Sequence, residues 1–276
     1  MKKALIALPL ALLLISAAGC STSSKDTASR AKNSTSAVKK AKASSSSEAS
    51  SSDVSKTSST KKAEESSSKP ATPAEQFSSL NTNIGAVLPG SLLPTDFAFT
   101  AKQWVNATTT GTIRNYTISY SEGKQALALN DASLQSAKPV LKLTKKTYAS
   151  VNAAQDDINY HPVQSGLPTV ALGDGITGVR EGAAGTSYVT WAEGNWSITV
   201  SASNVAKQDP LPLAKKAVAY FADHALPVPD GPASVQLVAA ASDDLSNVIQ
   251  WRKGAVGYTA SGTDAMKLLQ AAVSIK

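Results

Sequence analysis

The chain has 276 residues, with 27 basic and 20 acidic side chains and a formal charge of +7. Residues 76–276 hold fifteen basic and fourteen acidic residues, so the excess belongs to the amino-terminal quarter; a nucleic-acid-binding domain, whose basic patch lies on the folded part, is excluded. One Cys excludes a disulfide framework, and two His beside it leave little for a zinc site, so neither metal nor other cofactor is expected.

Met1-Lys2-Lys3 is a short positive region, Ala4 to Ile15 is apolar apart from Pro9, and small residues lead into Cys20. This is the three-part layout of an export signal. As a helix, Ala4–Ala18 reaches only about 23 Å, short of the roughly 30 Å core that a permanent span must cross. The segment Ala17-Ala18-Gly19-Cys20 resembles the lipobox of bacterial lipoproteins, with Ala17 where Leu is usual. That resemblance implies removal of residues 1–19 as a signal peptide. It also implies acylation of the Cys20 sulfur, which places the chain at the extracellular face of the cell membrane.

From Cys20 to Glu75 the composition turns to Ser, Thr, Ala and Lys, and nineteen of residues 21–75 are Ser. Such a stretch buries too little apolar surface to offset the entropy of ordering it, which predicts a disordered tether. A coil of this length spans about 40 Å end to end. Its ten Lys and Arg either contact anionic wall polymers or only keep the linker solvated. Signal and tether together resemble those of surface lipoproteins of Gram-positive bacteria of the lactic-acid type.

Residues 76–276 read as an α+β region, either one unit or two half-units at about 76–165 and 166–276. Ala74 to Asn83 forms a short first helix with Phe77, Leu80 and Ile84 on one side. Three segments then align without gaps, beginning at Tyr116, Tyr188 and Val248, each with an aromatic residue, two mostly polar residues and a Gly (Gly123, Gly194, Gly254), then alternation. Strand, Gly able to take a positive φ, and strand predict a β-hairpin in each. Further expectations are a strand at Val140 to Thr144 and helices at Tyr148 to Asn159, from Asp209-Pro210 to His224, and at Asp264 to Ile275 capped by Thr263. The architecture is thus antiparallel hairpins each followed by a helix packing on one face of the sheet.

Motifs for chemistry are few. Gly173-Asp-Gly175-Ile-Thr-Gly178 matches a dinucleotide fingerprint, but turn-forming residues follow where a helix is required, so tight turns between strands are predicted. Ser121-Glu-Gly-Lys124 matches a Ser-x-x-Lys pattern but falls on a predicted hairpin turn, with no Lys-Thr-Gly to face it. His161 and His224 are 63 residues apart, and Asp156-Asp157 and Asp243-Asp244 suit helix surfaces or caps. Trp191, Trp196 and Trp251 are either core or, if exposed, a surface for stacking sugar rings or a partner; core is favoured because large aromatics are mostly buried.

These observations together point to a membrane-anchored surface lipoprotein that displays a non-enzymatic binding domain. Its partner, protein or glycan, is not specified by the sequence, and no nucleic acid is expected. The alternatives are an envelope hydrolase or transferase using carboxylates, and a solute-binding lipoprotein of a transporter. A deep cavity with two converging carboxylates or with His161 overturns the non-enzymatic reading, whereas a flat or shallow surface with exposed aromatics supports it.

Overall fold

The computed structural model describes residues 72–98, 103–240 and 242–276. Cys20, the signal at 1–19 and the tether as far as residue 71 lie outside them. The first described element is α1 (Pro73–Val87), which begins inside the last residues assigned to the tether. Its start is over-determined: the Thr72 side chain accepts from the Glu75 N–H at 3.2 Å, the Glu75 carboxylate accepts from the Thr72 N–H at 3.0 Å, and Pro73 opens the first turn.

Ten strands follow: β1 (Trp104–Gly111), β2 (Tyr116–Gly123), β3 (Leu141–Thr147), β4 (Thr169–Gly173), β5 (Ile176–Ala183), β6 (Thr186–Glu193), β7 (Trp196–Ser203), β8 (Ala233–Val238), β9 (Asn247–Lys253) and β10 (Val256–Gly262). Between and after them come helices α2 (Val151–Asp156), α3 (Leu211–Phe221) and α4 (Ala265–Val273). The class is α+β, built on one sheet in the order β1-β2-β3-β10-β9-β8-β7-β6-β5-β4. Neighbouring strands are antiparallel except β7 and β8, which run parallel. A parallel pair needs a long crossover, and the segment carrying α3 provides it. Because β10 pairs with both β3 and β9, the described residues form one unit rather than two half-units.

Strand alternation divides the sheet into two unlike faces. On one, the register lines up Ile118, Leu143, Ala260, Ile249, Val235, Ile198 and Trp191 across seven strands, all buried. Helices cover this face: Phe77 of α1 lies 5.9 Å from the Tyr120 ring, α3 buries Ala214, Ala217 and Val218, and α4 buries Leu268 and Leu269. On the other face the neighbouring row reads Thr108, Ser119, Lys142, Ser261, Val248, Gln236, Thr199 and Thr190. Apolar burial drives the first face and leaves the second polar.

The structure departs from several expectations. Gly123 lies at the end of β2 with no positive φ, and residues 125–130 do not form a return strand. They run instead along the outer edge of β1, where the Asn106 side chain donates to Gln125 O at 3.0 Å and accepts from Leu127 N at 2.8 Å. A loop tied to an edge strand protects it from pairing with another chain. The first hairpin is therefore β1–β2, and Ser121-Glu-Gly-Lys124 is not a turn, since its first three residues complete β2. Gly194 and Gly254 do take positive φ, at 56° and 55°, and join β6 to β7 and β9 to β10. Helices do not all share one face, because Gly257, on the polar face of β10, meets the ring of Tyr148 where α2 begins. The last helix is capped by the Asp264 side chain, which accepts from Lys267 N at 2.9 Å, one residue later than Thr263.

Candidate functional site

The link from β3 to β4 must carry the chain from the middle of the sheet to its far edge, and it does so across the polar face. It starts with α2, whose N-cap Ser150 side chain accepts from Ala153 N at 3.1 Å. The Tyr148 hydroxyl donates to the Asp157 carboxylate, and burial together with that bond holds it above the usual tyrosine range. Gln155 accepts from Arg252 Nε at 2.8 Å, fixing α2 over β9 and β10.

Residues 157–168 then form a strap perpendicular to the strands. Gln250 of β9 donates to Asp157 O at 3.2 Å and accepts from Asn159 N at 3.1 Å. Gln236 of β8 donates to Asn159 O at 3.1 Å, and Ser197 of β7 donates to His161 O. Each tie moves one strand further along. Among the described residues no hydrogen bond holds residues 162–167, and the next tie is Arg180 N to Pro168 O at 2.8 Å.

Beneath the untied half of the strap lies a cavity of about 640 Å³. That volume falls within the range of small-molecule sites. Its floor is two rows of the polar face across β5 to β8: Val179, Thr190, Thr199 and Gln236, then Glu181, Tyr188, Ser201 and Val238. With strands about 4.8 Å apart, each row is about 14 Å long. His161, Pro162, Gln164, Ser165 and Leu167 of the strap form the opposite wall.

Some of the polar groups are already committed. Thr190 and Thr199 share a hydroxyl contact at 3.1 Å, and Ser201 donates to Leu237 O at 3.3 Å. Among the described residues the Glu181 carboxylate and the Tyr188 hydroxyl, directly opposite each other on β5 and β6, have no hydrogen-bonding partner. Among the described residues Glu181 is the only carboxylate in the lining, and no Lys or Arg is present there.

The residues singled out in the sequence lie elsewhere, with one exception. Trp191, Trp196 and Trp251 are buried at 0%, 7% and 2% exposure, so they are core and offer no stacking surface. Trp196 and Trp251 pack at 6.5 Å, and the Trp191 indole N–H donates to Glu193 at 2.7 Å. Gly173, Asp174 and Gly175 take positive φ and build the β4–β5 turn, while Gly178 lies within β5, a strand where a nucleotide-binding motif needs a helix. His224 stacks on Tyr220 at the end of α3. His161 alone among these lines the cavity. Among the described residues no group of three or more His, Cys, Asp and Glu is placed to hold a metal ion.

Sequence reasoning passed over Glu181, Tyr188, Thr190, Thr199, Ser201 and Gln236. The signal was the small polar residue at every second position of Trp-Ser-Ile-Thr-Val-Ser, residues 196–201, whose other positions supply the core. Compared with protein-family models, with curated proteins and with solved structures, the chain matches none.

Proposed function

We propose that this chain is a lipid-anchored protein of a Gram-positive cell envelope whose folded region binds a ligand in the cavity beneath the strap. Cys20 is the acylated residue, and the tether that follows it ends at the α1 cap, Thr72, so that Pro73 onward forms the displayed region. Within it, β6–β7 with α3 and β9–β10 with α4 are two equivalent hairpin-and-helix units, as their matching Gly194 and Gly254 turns support. The observation that carries the binding reading is the cavity itself, lined by hydroxyl and amide side chains from three adjacent strands, β6, β7 and β8, and by the Glu181 carboxylate of β5.

His161 lines that cavity, the feature expected to tell against a non-enzymatic domain, so the enzyme alternative turns on whether the ring has the partners that catalysis needs. A general base needs a second group to orient its ring and a nucleophile within hydrogen-bond reach. Among the described residues the His161 ring has no such partner, and Glu181 is not joined by a second carboxylate. Binding is therefore the preferred reading.

Two measurements test it. Palmitate labelling should mark the wild-type chain and not Cys20→Ala; equal labelling refutes the anchor. The full chain should retain an envelope component on a pull-down that Ala183→Trp, which fills the cavity mouth from an exposed position, no longer retains. Retention unchanged by that substitution moves the binding surface elsewhere, and substrate turnover lost in His161→Ala restores the enzyme.

A further inference from the structure

The cavity's charge limits what it accepts, and the argument here rests on the binding reading above. Among the described residues its one carboxylate, Glu181, is not neutralised by any Lys or Arg of the lining; the nearest basic side chain in sequence, Arg180, points to the opposite face, where its guanidinium bonds Asp209 at 3.1 Å. An anionic ligand such as a phosphate polymer would therefore meet a negative charge without a counter-ion. A cation would find one. Opposite Glu181 stands the Tyr188 side chain, whose oxygen can accept a further hydrogen bond and whose ring face attracts a cation. The remainder of the floor carries no formal charge: Thr190, Thr199, Ser201 and Gln236 bring hydroxyl and amide groups, and Val179 and Val238 are apolar.

We propose that the cavity is a site for a primary ammonium group carried on an otherwise uncharged, hydroxyl- or amide-bearing ligand, with Glu181 as its counter-ion and Tyr188 beside it. A charged hydrogen bond from the ammonium to Glu181 fixes one end of the ligand. The two rows of the floor take its body over about 14 Å, room for two sugar rings or a short peptide. An amino sugar and a lysine-like side chain of a peptide share this chemistry, so both belong in the test.

Isothermal titration of the full chain, purified in detergent, with glucosamine and with Nα-acetyl-lysine N-methylamide gives the two sources. The N-acetylated form of each is the control that keeps the body and removes the charge. We expect one or both amines to bind, the acetylated forms to bind about tenfold more weakly, and Glu181→Gln to erase that difference. Glu181 is exposed and has no hydrogen-bonding partner among the described residues, so Glu181→Gln keeps the melting temperature of the wild type. Acetylated forms that bind as well as the amines, or amine binding unchanged by Glu181→Gln, overturn the counter-ion assignment and leave the cavity as a binding site. No heat with any probe up to millimolar concentration overturns the ammonium proposal. The binding function then stands or falls separately, on whether Ala183→Trp abolishes envelope retention.

Discussion

Asn247 is fully buried at the start of β9, yet its side chain holds three backbone groups. It accepts from Val238 N at 2.9 Å and donates to Gly262 O at 3.1 Å and Thr263 O at 3.2 Å, tying β8 to β9 and the end of β10. Asn247→Ala leaves these groups without partners in the interior, and urea unfolding should show a loss of about 3 kcal/mol. A loss under about 1 kcal/mol means that water enters and replaces the amide. Tyr116 and Tyr120 set a limit at high pH. Burial pushes the Tyr116 hydroxyl up to about 12, against which the Leu92 N–H bond works, and burial raises Tyr120 as well. Both are acids that stay protonated longer when folded. Their contribution is complete below pH 10, where unfolded tyrosine begins to ionise, and is lost as pH rises towards 12. Thermal melts should therefore fall steeply above pH 10, and Tyr116→Phe should flatten part of that fall. The three tryptophans show what a single residue reveals: aromatic type and alternation placed them in the core, but nothing local said that Glu181 would stand alone in a cavity.

The strap is an element whose hold on the sheet comes from side chains rather than from a ladder. Gln250→Ala removes the bonds to Asp157 O and Asn159 N together. Amide exchange at Ile158, Asn159 and Tyr160 should accelerate about tenfold while the strands keep their protection. If exchange spreads to β8 and β9, the glutamine supports the sheet and not only the strap. Helix ends behave more simply. Asp264→Ala removes the cap that accepts from Lys267 N and should cost about 1 kcal/mol. At this scale the sequence was readable where periodicity is strong, as in α1, α4 and the turns at Gly194 and Gly254, although the cap of α4 is Asp264 and not Thr263. It misled at Gly123, because alternation after a glycine looks the same whether the next residues form a ladder or are tied by Asn106 along an edge. The helix expected at Tyr148 to Asn159 forms only over Val151–Asp156, and the strap that follows gave no periodic signal, since its partners are glutamines and a serine on distant strands.

Across the whole molecule the two faces of one sheet carry separate tasks. Helices α1, α3 and α4 cover the apolar face and account for the buried side chains, while α2 and the strap cross the polar face and roof the cavity. The α+β class was legible from composition and pattern. Strand order was not, because a strand's alternation specifies which residues face the core and is silent about its neighbour. The pairing of Leu141 with Gly262, and the parallel step from β7 to β8, join segments that no local motif connects. Insertion of β10 between β3 and β9 fills the centre of the sheet with one of its last segments. A ribosome delivers β1, β2 and β3 long before residues 256–262, so through most of synthesis β3 presents an unpaired edge at what becomes the middle of the sheet. Such a chain has a high contact order and folds slowly. Until β10 arrives, the nascent protein is open to pairing with other chains at its centre and not at its rim.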